Sequence, residues 1–406
     1  MIQIIKMAFR DLGRNRRRSF FSSLALAMGL ALLLLMAAFI NGEMKNALDS
    51  NIRLQTGHIQ VRASTYDEVK TSLRWEDLVE NPDQVSVQIA GLEHVETVTP
   101  RLFASGILAV GDKSSGVRII GVDPQSAAND PYRNGLLSGD FLQAEDREGI
   151  LLGEPLAKKL GVGAGDQVFL SVNTSNGEVG EQSFIVRGVY STSTYGFDFI
   201  TVFLPLSKAQ AITQTEKHAS TIFVLLKDKQ QTENVASVLK KNSGYQILTW
   251  TGMNELVLQT EELASSYMVM LYLIVLAVTA TVIVNTLIMS VFERTREIGI
   301  LSAIGMKSWR IMTMFLVESS LLAVGGIVMG LVMGILVVSL LGIYGFRITD
   351  MQVTGMLIGN TLYPVLTLND TIQLTILTFV ITILAGLYPA VIAARMEPVA
   401  ALRGGK

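Results

Sequence analysis

The chain has 406 residues, half of them hydrophobic, with 17% charged, a net charge of −2 and no cysteine. Soluble globular chains carry roughly 25% charged residues, and the mean hydropathy here is +0.42, so the composition argues against a soluble enzyme. The near-neutral charge argues against a nucleic-acid binder, and the missing cysteines remove disulfides, thiolate metal sites and thiol catalysis. What remains is a membrane protein with a large polar insert.

Residues 1–18 form a basic segment with Lys6, Arg10, Arg14, Arg16, Arg17 and Arg18 against Asp11. A first uncharged run follows at 19–41, long enough to cross about 30 Å of hydrocarbon at about 1.5 Å per residue. A basic start before an apolar run also fits a cleaved signal peptide, with small residues near Ala37 and Ala38. The run is about twice the length of a signal core, and cleavage would leave three spans. It reads as a retained signal anchor.

Residues 42–266 are expected to form one α+β domain. The alternation of Gly57-His58-Ile59-Gln60-Val61 predicts a strand, and 82–91 a short amphipathic helix. Strands are expected at 101–110 and 117–122 around the turn Gly111-Asp112-Lys113. A helix at 154–160 precedes a strand at 167–172, the hairpin turn Asn176-Gly177 and a returning strand at 183–190. A strand at 221–226, a helix at 232–241 and a strand at 245–249 close the domain. No catalytic constellation stands out. His58 reads as structural, and Tyr195, Phe197 and Phe199 form an aromatic-rich loop that could contact a periplasmic partner.

Three further spans are expected at 267–292, 311–346 and 371–394. The link at 293–310 carries Arg294, Arg296, Lys307 and Arg310, and the tail at 395–406 is also basic. The loop at 347–370 has Arg347 against Asp350 and Asp370. The positive-inside rule then places both termini and the 293–310 loop in the cytoplasm, and the 42–266 domain outside it. The expected fold class is an α-helical membrane protein with four transmembrane helices plus a large α+β extracytoplasmic domain between helices 1 and 2. In the third span, Gly326, Gly330 and Gly334 recur every four residues, a small-residue row that lets helices approach closely within or between subunits. Glu318 lies about two turns into that span, where a carboxylate is either functional or reaches back to water.

The loop sequence Phe-Glu-Arg-Thr-Arg-Glu-Ile-Gly-Ile-Leu-Ser-Ala-Ile-Gly-Met-Lys-Ser-Trp-Arg at 292–310 is the most specific feature. Ile298, Ile300, Leu301 and Ile304 are expected to form one apolar surface on a short helix, suited to a partner's groove. The alternative is a helix resting on lipid. No phosphate-binding loop occurs; Gly305-Met306-Lys307-Ser308 lacks the required Gly-Lys pair. Any ATP chemistry therefore falls to another polypeptide.

The run Glu293-Arg-Thr-Arg-Glu-Ile-Gly-Ile-Leu-x-Ala-Ile-Gly305 resembles the MacB/FtsX-type ABC permeases. Gly386-Leu387-Tyr388-Pro389-Ala390 and the basic end through Arg403 resemble that family's C-terminal signature, as Ala8-Phe9-Arg10-Asp11-Leu12 resembles its start. The resemblance implies a dimer, with a second copy or a paralogue, and two cytoplasmic ABC ATPase subunits that hold the ATP and magnesium. It also implies that the permease is not itself an enzyme. Glu293, Arg294, Arg296, Glu297, Ile298, Ile300, Leu301, Ile304 and Gly305 would be the ATPase-coupling residues. ATP-driven closure would be passed through the membrane to the extracytoplasmic domains, an arrangement called mechanotransmission. The lipoprotein-releasing LolC/LolE permeases fit best in span layout, implying lipoprotein cargo, a periplasmic carrier and a bacterial inner membrane. Export of an antibiotic, peptide or toxin, and mechanical control of a cell-wall hydrolase, are the alternatives. No resident cofactor, metal or nucleic acid is expected.

Overall fold

The computed structural model describes residues 2–14, 16–67, 70–242, 244–347 and 361–397. The chain forms two compact units. One comprises Met1–Met44, Glu261–Phe346 and Leu362–Lys406, and the other Lys45–Thr260 with Arg347–Thr361. Most of the loop expected at 347–370 and the end of the tail lie outside the described residues.

Among the described residues of the first unit, four helices are long and apolar enough to cross a bilayer. Span one belongs to the helix Arg16–Asn51, span two to Glu255–Glu293, span three to Ser308–Tyr344 and span four to Leu368–Ala394. The first two helices overrun the apolar stretches that signalled them. Span one's helix continues ten residues past Asn41 and span two's begins at Glu255 rather than near 267. The overruns carry Glu43, Lys45 and Asp49, and Glu255, Glu261 and Glu262. Hydropathy is blind to such segments, but their side chains are good or acceptable helix formers.

Leu26, Leu30, Leu33 and Leu34 of span one pack with Leu276, Ile283 and Leu287 of span two, Leu322, Ala323 and Ile327 of span three, and Leu374 of span four. Lipid tails are as apolar as leucine, so close packing rather than water exclusion holds such helices together. A preceding helix, Ile2–Arg14, buries Ala8 and exposes Phe9.

The second unit is built on a ten-stranded sheet among the described residues. Its order is Gln246–Thr249, Ile59–Arg62, Thr221–Leu226, Val95–Val110, Lys113–Val122, Thr201–Pro205, Gly149–Gly153, Val179–Tyr190 and Leu136–Gly139. Gln167–Asn173 pairs with both Val95–Val110 and Val179–Tyr190. The period of two sends alternate residues to opposite faces, and here both faces are buried. Leu102, Ala104, Ile119, Ile150, Leu152, Val202 and Leu204 enter one core with the helices Glu154–Leu160 and Leu206–Thr213. Phe103, Ile120, Leu151 and Phe203 enter the other with Tyr132, Tyr190 and Phe197. A third core lies under the helices Pro82–Ala90 and Thr232–Asn242, around Ile59, Ile222, Val224, Ile89 and Val235.

Burial on both faces explains two strands absent from the sequence-based expectations. Gly149–Gly153 and Thr201–Pro205 are buried at every position, so neither shows an apolar–polar alternation. Each also has a parallel neighbour distant in sequence, Val179–Tyr190 and Lys113–Val122 respectively. The strand expected at 101–110 begins six residues earlier, at Val95, because its first part is paired by Thr221–Leu226.

Candidate functional site

The loop after span two folds as the helix Thr295–Ala303. Arg294 precedes it, and its carbonyl accepts the Ile298 amide at 2.9 Å. Gly305 ends it at φ +96°. A Cβ at Gly305 would meet nothing within 4 Å. Its demand is therefore conformational: a positive φ that glycine adopts without steric cost.

The expected single apolar surface is not what forms. Ile298 is 1% exposed and packs with Val291, Ile311, Met314, Phe315, Ala390 and Ala393. Ile300 is 43% exposed and Ile304 80%, whereas Leu301 is half-buried. At about 100° per residue, positions 298 and 300 lie some 200° apart while 300 and 304 share a face. Thus the helix has one isoleucine facing inward and two facing out, with exposed Arg296 beside them.

The charged residues also divide. Glu297 pairs with Arg14 at 2.9 Å and Glu293 with Arg18 at 2.6 Å, at exposed to half-exposed positions. Arg294 is not exposed beside Arg296. Its side chain is 7% exposed and lies 3.5 Å from Glu318, itself 4% exposed. Ser290 Oγ donates to the same carboxylate at 3.4 Å. Glu318 therefore does not reach back to water, and Arg294 reaches into the helix packing rather than outward. Twenty-four residues separate the pair, so no local spacing advertises it.

The glycine row finds its partner within the chain. A Cβ on Gly326 would collide with Leu26, one on Gly330 would lie 2.9 Å from the Ala27 carbonyl oxygen, and one on Gly334 would lie 2.8 Å from Leu34 Cδ1. Span three thus rests its glycine face directly on span one.

In the α+β unit, the sequence around 195–199 is a helix, Tyr195–Ile200, and not a loop. Phe197 is 1% exposed in the aromatic core with Tyr132, Tyr190 and Phe203, so it offers no contact surface. Tyr195 and Phe199 stack on each other at 5.8 Å. Asp198 is buried and accepts from the Thr192 amide at 2.9 Å and the hydroxyls of Thr192 at 2.7 Å and Ser191 at 3.2 Å. Burial pushes its pKa up to about 6 against these hydrogen bonds. His58 Nδ1 accepts the Leu226 amide at 2.9 Å, where the pairing of Thr221–Leu226 with Val95–Val110 shifts register. It completes a backbone bond at an irregularity, and burial lowers its pKa.

Arg101, which the sequence did not single out, is fully buried. Its Nη1 donates to the Leu54 carbonyl at 3.0 Å, an oxygen that also accepts from Tyr132 Oη at 2.6 Å. Its Cζ sits 3.7 Å from the Phe223 ring centroid. Nε and Nη2 have no hydrogen-bond partner among the described residues, and burial lowers the guanidinium pKa.

Two family models account for most of the chain: the MacB-like periplasmic core domain over residues 19–242 and the FtsX-like permease C-terminal domain over 269–398. The chain belongs to the MacB/FtsX family of ABC transporter permeases. The permease is 24% identical to the lipoprotein-releasing system transmembrane protein LolE of Haemophilus influenzae, over 93% of this chain and 92% of that one. It is 23% identical to LolC of Neisseria meningitidis serogroup B, over 98% of both. It is also 23% identical to the macrolide export ATP-binding/permease protein MacB of a Shewanella strain, over 98% of this chain, which spans 60% of that relative's length.

Proposed function

We propose that this permease couples ATP hydrolysis on two separate cytoplasmic ABC ATPase subunits to movement of an extracytoplasmic α+β domain, as a non-catalytic subunit working with a second permease copy or a paralogue. In this reading the α+β domain follows span one outside the cytoplasm, both termini are cytoplasmic, and the helix Thr295–Ala303 is the coupling helix. The observation that carries it is the two-sidedness of that helix. Ile298 fastens one face to the membrane unit, while Ile300 and Ile304 hold apolar surface outward. Exposed apolar groups flanked by Arg296 suit a partner's groove. Glu293 and Glu297 are taken up by Arg18 and Arg14, which leaves the isoleucines and Arg296 as the docking elements.

Ile300→Asp tests the assignment, because a charge desolvated without a partner costs several kcal/mol. Recovery of the ATPase with the variant should fall by about a hundredfold or more. Undiminished recovery would reject the coupling role and favour a helix resting on lipid.

For the cargo, we propose lipoproteins leaving a bacterial inner membrane. Support comes from the end-to-end match to LolC and LolE. It comes also from a cavity of about 370 Å³ between spans one, two and four, lined by Ala37, Met44, Met268, Leu273 and Leu374 with Asn41 and Asp370 at a polar patch. Its apolar wall and polar patch suit an acyl chain joined to a polar head. The MacB-like core match favours adaptor-linked export as the second reading. Mass spectrometry of material co-purifying with the solubilised complex separates the two: triacylated peptides support release, and small amphipathic drugs without them support export.

A further inference from the structure

We infer that Arg101 and Tyr132 are positioning residues for coupling: they hold the end of the span-one helix on the sheet of the α+β unit, so that movement of that helix moves the strand Val95–Val110. The role in transmission rests on the coupling reading above; the hold itself does not.

The helices that carry spans one and two both run into the α+β unit, to which residues 45–51 of the first and 255–260 of the second belong. The first continues as a wide turn, Ile52–Thr56, in which the Gly57 amide reaches back five residues to the Ile52 carbonyl at 2.8 Å. The last carbonyls of a helix have no partner within it. Here side chains from the unit answer them. Gln60 Nε2 donates to the Gln55 carbonyl at 3.2 Å, and Arg101 and Tyr132 share the Leu54 carbonyl. A helix C-terminus carries partial negative charge, which a guanidinium complements. Asn51 Nδ2 donates to Asn254 Oδ1, and Asn254 Nδ2 to the Trp250 carbonyl at 2.7 Å. The helix that enters the unit is thereby tied to the one that leaves it. Leu54, Arg101, Tyr132 and Asn254 are all buried.

Stability alone does not call for Arg101. Two of its donors lack partners among the described residues, and a buried cation so poorly satisfied gains little over a methionine. What methionine cannot supply is a directed, charge-assisted bond to the helix end. That bond comes from Val95–Val110, a strand that three neighbours grip along its length. A pull on Leu54 therefore reaches the sheet directly.

Hydrogen exchange on the full-length permease in nanodiscs, without ATPase, reads the hold. In Arg101→Met the amides of residues 52–58 should exchange about tenfold faster. Adding Tyr132→Phe should accelerate them further, while those of Gln167–Asn173 keep the wild-type rate. Wild-type rates at 52–58 in Arg101→Met overturn the hold, as does equal acceleration in Gln167–Asn173. If the double variant is not recovered, the single variant decides alone.

In the complex with its ATPase, ATP and vanadate should alter exchange in residues 96–104 of the wild type. That response should be reduced in Arg101→Met and absent from the double variant, with the ATPase still bound. A full response in Arg101→Met overturns the role in transmission, and so does loss of the ATPase, since a transmitting residue leaves it docked. Absence of any response in the wild type defeats the coupling reading and the role in transmission with it, while exchange at 52–58 still judges the hold.

Discussion

Arg101 and Arg294 are both buried, one in each unit, and their surroundings neutralise them differently. Arg101 has a carbonyl oxygen, the face of Phe223 and two donors without partners. Arg294 has a carboxylate. The buried carboxylates mirror this: Asp198 rests on hydroxyls and an amide, whereas Glu318 faces a cation. A charge held by dipoles and a ring can be deleted on its own, since its removal strands no opposite charge. A charge held by another charge cannot. Arg101 and Asp198 are thus held without an opposite charge, whereas Arg294 and Glu318 face each other.

The sharpest way to break this contrast is Arg294→Met, which removes the cation that faces the buried Glu318 and should destabilise the membrane unit by about 3–5 kcal/mol. Unfolding in mixed micelles measures it; a loss no larger than that of a surface substitution would erase the distinction.

Asp198 supplies the next largest effect. Its folded pKa of about 6 lies above the ordinary aspartate value of 3.8, so between these pH values the folded state binds more protons than the unfolded one. Stability from this group is present below pH about 4 and declines by on the order of 2–3 kcal/mol as pH rises through about 6. Melting curves of the wild type and Asp198→Asn across that window should diverge, with the variant lacking the decline.

Arg101→Met should change stability by less than about 1 kcal/mol, since methionine fills much of the space over Phe223 and removes a poorly satisfied cation. Tyr132 continues to hold the Leu54 carbonyl. A severe loss here would mean that the guanidinium is as indispensable as Arg294. The smallest effect is expected for Arg14→Gln, whose exposed pair with Glu297 should contribute no more than about 0.5 kcal/mol, and less at high salt.

The same contrast governs what was legible in the sequence. The spans show themselves because uncharged runs of that length have few other uses. Strands such as Gln167–Asn173, with its buried–exposed alternation, are legible from their period. Gly149–Gly153 is not, since burial on both faces erases the period and its partner lies some thirty-five residues away. The glycine row was readable as a seam, but its partner, span one, was not. The inward turn of Ile298 away from Ile300 could have been found from helical geometry alone, because residues two positions apart on a helix lie on nearly opposite sides. Nothing local, by contrast, points from Arg294 to Glu318 or from Arg101 to Leu54. Such long-range partners are chosen by packing, and a charge's type does not reveal which neighbour will answer it.

The strand Val95–Val110 has a mechanical consequence. At about 3.3 Å per residue its sixteen residues reach roughly 50 Å. Thr221–Leu226 grips its first half, and Lys113–Val122 and Gln167–Asn173 its second. It acts as a tie beam common to both ends of the α+β unit. Shear between those halves would have to break several backbone ladders at once.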